Sequence, residues 1–331
     1  MRIGVVGVVV VGLSASTAYA QELNTPRAQD DRPMIIDSFV PLSERSPGRL
    51  PPPSEAGHEL PADLEDTFLL HSKPDATKVV YLDFDGHTIL WRGQEFVYDG
   101  WDWDGDPESY SDDERAIIQL TWKSLSEDYL PFDIDITTED PGVEALINSG
   151  GSDEHWGIRA VINHSTDNYS WAYMNSFNDD EDTELYVWTG RSKSIDETWL
   201  WVADSAAHEV GHALGLSHDG TKGGVEYYPG HGEGVTQWAP IMGWTAYGVN
   251  QWSRGHYRGA NNKENDLAII TSRNGFDYRV DDHGDTRETA TELLLDGGAS
   301  GIIERPTDVD AFVLSLSRSG NVVVTASPAT L

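Results

Sequence analysis

Across the middle of the chain, apolar positions fall into short runs bounded by turn residues. Val79-Val80-Tyr81-Leu82-Asp83-Phe84 is β-rich and stops at Asp85-Gly86. Phe132 to Thr137 alternates, and Ile158 to Asn163, Trp171 to Met174 and Leu185 to Thr189 are each short and β-branched or aromatic. Such runs predict strands. Between the first two the period lengthens. Ser111-Asp112-Asp113-Glu114 is a capping box, and Ile118, Trp122, Leu125 and Tyr129 then recur at helical spacing until Pro131. A second box, Ser194-Ile195-Asp196-Glu197, opens an apolar-rich segment that runs to Leu214 and is closed by Gly215. The order β, α, β, β, β, β, α predicts an α+β fold: a mixed, twisted five-stranded sheet carrying two long helices.

The flanks read differently. Residues 1–20 hold Arg2, an apolar run from Ile3 to Leu13 and the small-x-small ending Ala18-Tyr19-Ala20. This is the pattern of a cleaved secretory signal, too short in its apolar part to be a permanent anchor. The expected product is secreted, extracellular and monomeric. Residues 21–74 are rich in Pro, charged and small residues, including Pro51-Pro52-Pro53, and have at most a short helix between Glu59 and Leu70. They read as a pro-segment or linker without its own core. Residues 75–280 then form the folded domain, and the composition shifts again over 281–331.

Composition narrows the function. Lys and Arg total 22 against 56 Asp and Glu, giving a formal net charge of −34 in 331 residues. Such a charge repels phosphate backbones and anionic lipid surfaces, so neither nucleic acid nor membrane is an expected partner. With no cysteine, disulfides, thiolate ligands and cysteine nucleophiles are excluded. An exported chain of this kind must rely on a large core, to which the 12 tryptophans contribute, and on bound cations.

The chemistry stands in the second helix, at His208-Glu209-Val210-Gly211-His212-Ala213-Leu214-Gly215-Leu216-Ser217-His218. Two histidines four apart project from one helix face and can share an ion. Glu209 is rotated to flank that ion, where its carboxylate can move a proton between water and a leaving amine. A straight helix would carry a third imidazole away. Gly215 accepts positive φ, which lets the chain turn back and return His218 to the metal. Three imidazoles leave one position of a tetrahedral zinc ion for water.

HExxHxxGxxH resembles the signature of the metzincin clan of zinc metallopeptidases. The resemblance implies a secreted zinc endopeptidase acting on protein or peptide substrates, with Glu209 catalytic and His208, His212 and His218 as metal ligands. It also implies a methionine turn beneath the metal, matched by Pro240-Ile241-Met242-Gly243, 24 residues after His218. Ordinary core packing is the alternative for Met242. Some members place a tyrosine ligand two residues past the methionine; here that position is Trp244, and Tyr247 is off register. Asp219 occurs in reprolysin-like and matrixin-like branches as a support of the site, the alternative being a solvated surface carboxylate. The resemblance further implies an irregular lower subdomain over 216–280, and an edge strand at Trp171 to Met174 to which substrate adds antiparallel. The stretches VVYLDFDGHT and EDYLPFDIDITTEDPG accompany the motif in similar secreted bacterial chains. Two readings compete: a zinc hydrolase of the same fold acting on something other than protein, and a cation-dependent surface or adhesion protein with a vestigial zinc site.

Residues 281–331, with Asp281-Asp282-His283-Gly284-Asp285-Thr286 and Thr307-Asp308-Val309-Asp310-Ala311-Phe312, resemble part of a pre-peptidase C-terminal type of β-sandwich. Asp99 to Glu114 is dense in carboxylates and suits either calcium or solvent, although its glycine comes too early for an EF-hand. Asn178 to Glu184 is a second such cluster. His87, His155, His164, His231 and His256 lack partner spacing.

Overall fold

The sheet is built from the strands that the apolar runs predict, plus one more. In a computed structural model, residues 33–37, 59–91, 94–164, 169–190, 192, 194–233, 236–244, 249–294, 297–316 and 323–325 are described. Its strands in chain order begin with β1 (Met34–Asp37), β2 (Lys78–Asp83) and a hairpin of β3 (His87–Trp91) and β4 (Gln94–Tyr98). They continue with β5 (Asp135–Thr137), β6 (Trp156–Asn163), β7 (Ser170–Tyr173) and β8 (Leu185–Trp188). Six of these form one sheet in the order β1-β7-β8-β6-β2-β5. β8, β6, β2 and β5 run parallel, while β7 runs antiparallel to β8. Parallel strands are covered on both faces, which is why β2 and β6 read as continuous apolar runs and not as alternating ones.

The expected five strands thus become six, and the correction comes from the segment read as linker. Met34-Ile35-Ile36-Asp37 pairs antiparallel with β7, in the register Met34 to Tyr173 through Asp37 to Ser170. Four residues in a Pro-rich stretch are too few for the period to show. Residues 59–74 are also bound into the domain. The Gln119 side chain meets Ala62 N, Asp63 O and Thr67 Oγ1, and Leu70 N donates to Thr138 Oγ1. The expected helix there shrinks to a single 3₁₀ turn at Leu64–Asp66.

α1 (Asp112–Asp128) and α2 (Ile195–Ala213) pack on each other, and α2 also lies against β6, β7 and β8. Ile117, Ile118 and Leu125 of α1 share a buried core with Val202, Ala206 and Val210 of α2 and with Val80, Leu82, Ile136, Ile158 and Ile162 of the sheet. The first capping box closes in both directions, with Glu114 Oε2 accepting from Ser111 N at 2.8 Å. The second is half formed. Ser194 Oγ accepts from Glu197 N, but the Glu197 carboxylate turns to Ser192 Oγ at 2.6 Å. Beyond α2 the chain is largely irregular, as expected, except for a short parallel pair of β9 (Trp238–Pro240) and β10 (Val249–Gln251) and a third helix, α3 (Asp266–Arg273). Among the described residues past 280, β11 (Thr291–Leu293) and β12 (Phe312–Leu314) form one parallel pair. No described helix is long and apolar enough to cross a membrane; the leader expected at 1–20 lies outside the described residues.

Candidate metal centre

Helix α2 ends in a hydrogen-bonded cap that turns the chain under the site. Gly215 N donates to His212 O at 2.9 Å and Leu216 N reaches back to Gly211 O at 2.9 Å, the paired bonds of a Schellman motif. Gly215 stands at φ +100°, and a Cβ there would lie 2.4 Å from Asn175 Oδ1. The turn returns His218 to the helix face. The Nε2 atoms of His208 and His218 lie 3.1 and 3.0 Å from that of His212.

These contacts are not ordinary hydrogen bonds. His208 Nδ1 lies 2.9 Å from Ile241 O and His212 Nδ1 lies 2.8 Å from Leu216 O. A backbone carbonyl can only accept, so each of these Nδ1 atoms carries the proton and each Nε2 of the neutral ring presents a lone pair. His218 Nδ1 faces Glu226 Oε1 at 3.3 Å. Three nitrogens around one ion at roughly 2.0–2.1 Å would stand about 3.3 Å apart, close to what is found. Lone pairs brought this near to one another repel unless a cation lies among them, and the donor set suits zinc.

Asp37 completes the cluster. Its carboxylate is fully buried and sits 2.9 Å from His218 Nε2, 3.3 Å from His212 Nε2 and 3.8 Å from His208 Nε2. Together the four residues could hold a metal ion. Tyr227 donates its hydroxyl to Asp37 Oδ1 at 2.5 Å and lays its ring 4.6 Å from that of His218. Burial alone would raise the Asp37 pKa, but the imidazoles around it, His218 foremost, hold it well below the usual carboxylate range. Burial pushes His208 down to about 3; for His218 burial is outweighed by the Asp37 charge, which lifts it to about 9.

Glu209 is also fully buried, and neither of its carboxylate oxygens has a hydrogen-bond partner. Burial, and then the charge of Asp37, raise its pKa well above the ordinary value. A carboxylate so placed is poised to accept and return a proton. Met242 is buried beneath α2, and a Cβ on Gly211 would lie 2.4 Å from its Sδ. Gly211, inside the motif, is therefore the notch that admits Met242. Asp219 is buried, not solvated. It accepts from Tyr257 Oη at 3.2 Å, its N–H donates to Met242 O at 2.7 Å, and burial lifts its pKa to about 6.

Sequence reasoning missed Asp37 and Tyr227. Asp37 had no visible signal beyond a short apolar run preceding an acid. Tyr227 occupies no motif position, yet Trp244, at the position where some metzincins carry a tyrosine, packs 6.1 Å from its ring. Tyr247 lies outside the described residues. In the acidic loop, Asp102, Asp104 and Glu114 come together, but Glu114 accepts from Trp103 N, Ser111 N and Ser111 Oγ, while Asp102 and Asp104 accept from Gly105 N and Asp106 N. In the second cluster, Asp182 pairs with Arg159 at 2.9 Å and Asp179 accepts from Thr183 Oγ1. In both clusters the carboxylates thus already accept hydrogen bonds or pair with Arg159. No family model matches the chain, and no curated protein matches it.

Proposed function

We propose that this protein is a secreted zinc endopeptidase of the metzincin type, folded here in a latent form in which Asp37 plugs its own active site. The observation that carries the reading is the convergence of three imidazole Nε2 atoms beside a buried Glu209 whose oxygens have no hydrogen-bond partner. Zinc held by His208, His212 and His218 would supply Lewis acidity to a peptide carbonyl and a water of lowered pKa. Glu209 takes the proton of the attacking water at a carboxylate oxygen and delivers it to the leaving amine. β7 aligns substrate by pairing with its backbone. That β1 already pairs with β7, antiparallel, favours a peptide substrate over other hydrolase chemistry.

Casein hydrolysis tests the reading. The full chain is expected to be weakly active, and Asp37→Ala to raise its rate by at least ten-fold. A chelator should abolish the gain and zinc restore it. Adding Glu209→Gln to Asp37→Ala should cost about 10²–10⁴-fold without loss of bound zinc. A double variant as active as Asp37→Ala would refute the assignment of Glu209. An Asp37→Ala chain that binds one zinc ion and cuts no protein would leave a binding protein or a narrow hydrolase in its place.

A further inference from the structure

Past β10 and α3, five carboxylates gather from two loops that meet at the start of the C-terminal segment. Asp281, Glu304 and Asp308 each place an oxygen within 4.8 Å of the other two, and Asp282 and Asp310 group in the same way with His283. Glu304 is only 3% exposed, yet neither of its oxygens has a hydrogen-bond partner; Asp308 Oδ1 and Asp310 Oδ1 also lack one. The backbone contacts orient the carboxylates without neutralising them. Glu304 N donates to Asp308 Oδ2 at 2.9 Å, His283 N to Asp281 Oδ1 at 3.0 Å and Ile302 N to Asp282 Oδ2 at 3.2 Å.

The cations that act on the cluster, His283, whose Nε2 lies 3.8 Å from Asp282 Oδ1, and Arg279, which feels the Glu304 charge, are each also held by other groups. Arg305 lies 5.0 Å over the Tyr278 ring, and Arg279 donates to Phe132 O and Ser72 O. His283 is not an open ligand, because Nδ1 meets Thr291 Oγ1 at 2.8 Å and Nε2 meets Ser300 O at 2.9 Å. Burial first, and then the carboxyl of Asp308, lift Glu304 to about 7. A buried carboxylate without a donor is costly unless it is neutralised. All-oxygen donor sets with several charges select hard divalent ions; calcium takes six to eight such ligands at about 2.3–2.6 Å, whereas magnesium keeps more of its water.

The geometry points to a calcium site formed by Asp281, Glu304 and Asp308, with Asp282 and Asp310 at its margin, that ties residues 281–282 to the loop preceding β12. The test is calorimetric titration of the full-length, zinc-loaded protein with calcium alone and with magnesium alone, paired with thermal unfolding. One calcium ion per chain is expected, with Kd on the order of 10⁻⁴–10⁻³ M, the range of extracellular modules, and magnesium binding more weakly. Glu304→Gln should weaken calcium at least ten-fold. It should also raise the unfolding temperature in calcium-free buffer, because it removes a buried charge, and lower it relative to wild type in calcium. Asp104→Asn, in the other acidic loop, should leave the titration unchanged. The proposal is overturned if wild type shows no calcium binding at millimolar concentration, or if Glu304→Gln binds as tightly. A proton shared by Glu304 and Asp308 would then be what relieves the cluster.

Discussion

Asp37 and Glu209 are neighbouring buried carboxylates whose surroundings drive their pKa values apart, down for Asp37 beside the imidazoles and up for Glu209 by burial. Tyr227 tightens this arrangement through its hydroxyl on Asp37 Oδ1. A hydrogen bond to a charged acceptor is worth about 1.5–3 kcal/mol. Tyr227→Phe is therefore expected to increase the open fraction of the full chain roughly ten-fold to a hundred-fold, read as a rise in basal casein hydrolysis. In an Asp37→Ala background the same change should give no such rise. A rise of equal size in both backgrounds would mean that Tyr227 acts on substrate and not on Asp37.

Helix α2 and its cap set the geometry on which the residues act. Gly215 combines φ +100° with a close approach to Asn175 Oδ1. Gly215→Ala should lower stability by about 1–3 kcal/mol and weaken zinc retention, as measured by unfolding and by competition with a chromogenic chelator. Unchanged zinc affinity would show that His218 finds its place without the turn. The elements around this helix were legible because their signals are local: capping boxes at Ser111 and Ser194, apolar runs in β2 and β6, and imidazoles spaced to share one helix face. What stayed hidden was long-range. Nothing near Met34 announces that its strand pairs with Tyr173, 139 positions away, and a four-residue strand is too short for periodicity to reveal. The hairpin of β3 and β4 and the helix α3 escaped although they are local, because their patterns are weak; α3 has no side-chain cap at Asn265 to mark its start.

At the scale of the molecule, charge governs how stability responds to solvent. Burial, ahead of the neighbouring hydrogen bonds and charges, lifts Asp83 to about 7, Asp219 to about 6 and Asp266 to about 8. An acid whose folded pKa exceeds its unfolded one adds stability that is full below about pH 4 and is lost as pH rises through the folded value. The zinc-loaded chain should therefore melt at a lower temperature at pH 8.5 than at pH 6. Asp266→Asn, which preserves an acceptor for Ser253 N, should flatten that slope; an unchanged slope would assign the pH dependence to other groups. The strand that carries Asp37 has one more consequence, which concerns concentration. Asp37 and the imidazoles it meets belong to one chain, and a covalent connection can hold a segment at an effective concentration on the order of millimolar. On the reading proposed above, four paired residues suffice to keep the plug seated, whereas the same segment free in dilute solution would not be held. On that reading a single cut in the chain between Asp37 and the rest of the domain would act as a one-way fuse, the plug being lost by dilution with no change in any contact that it makes.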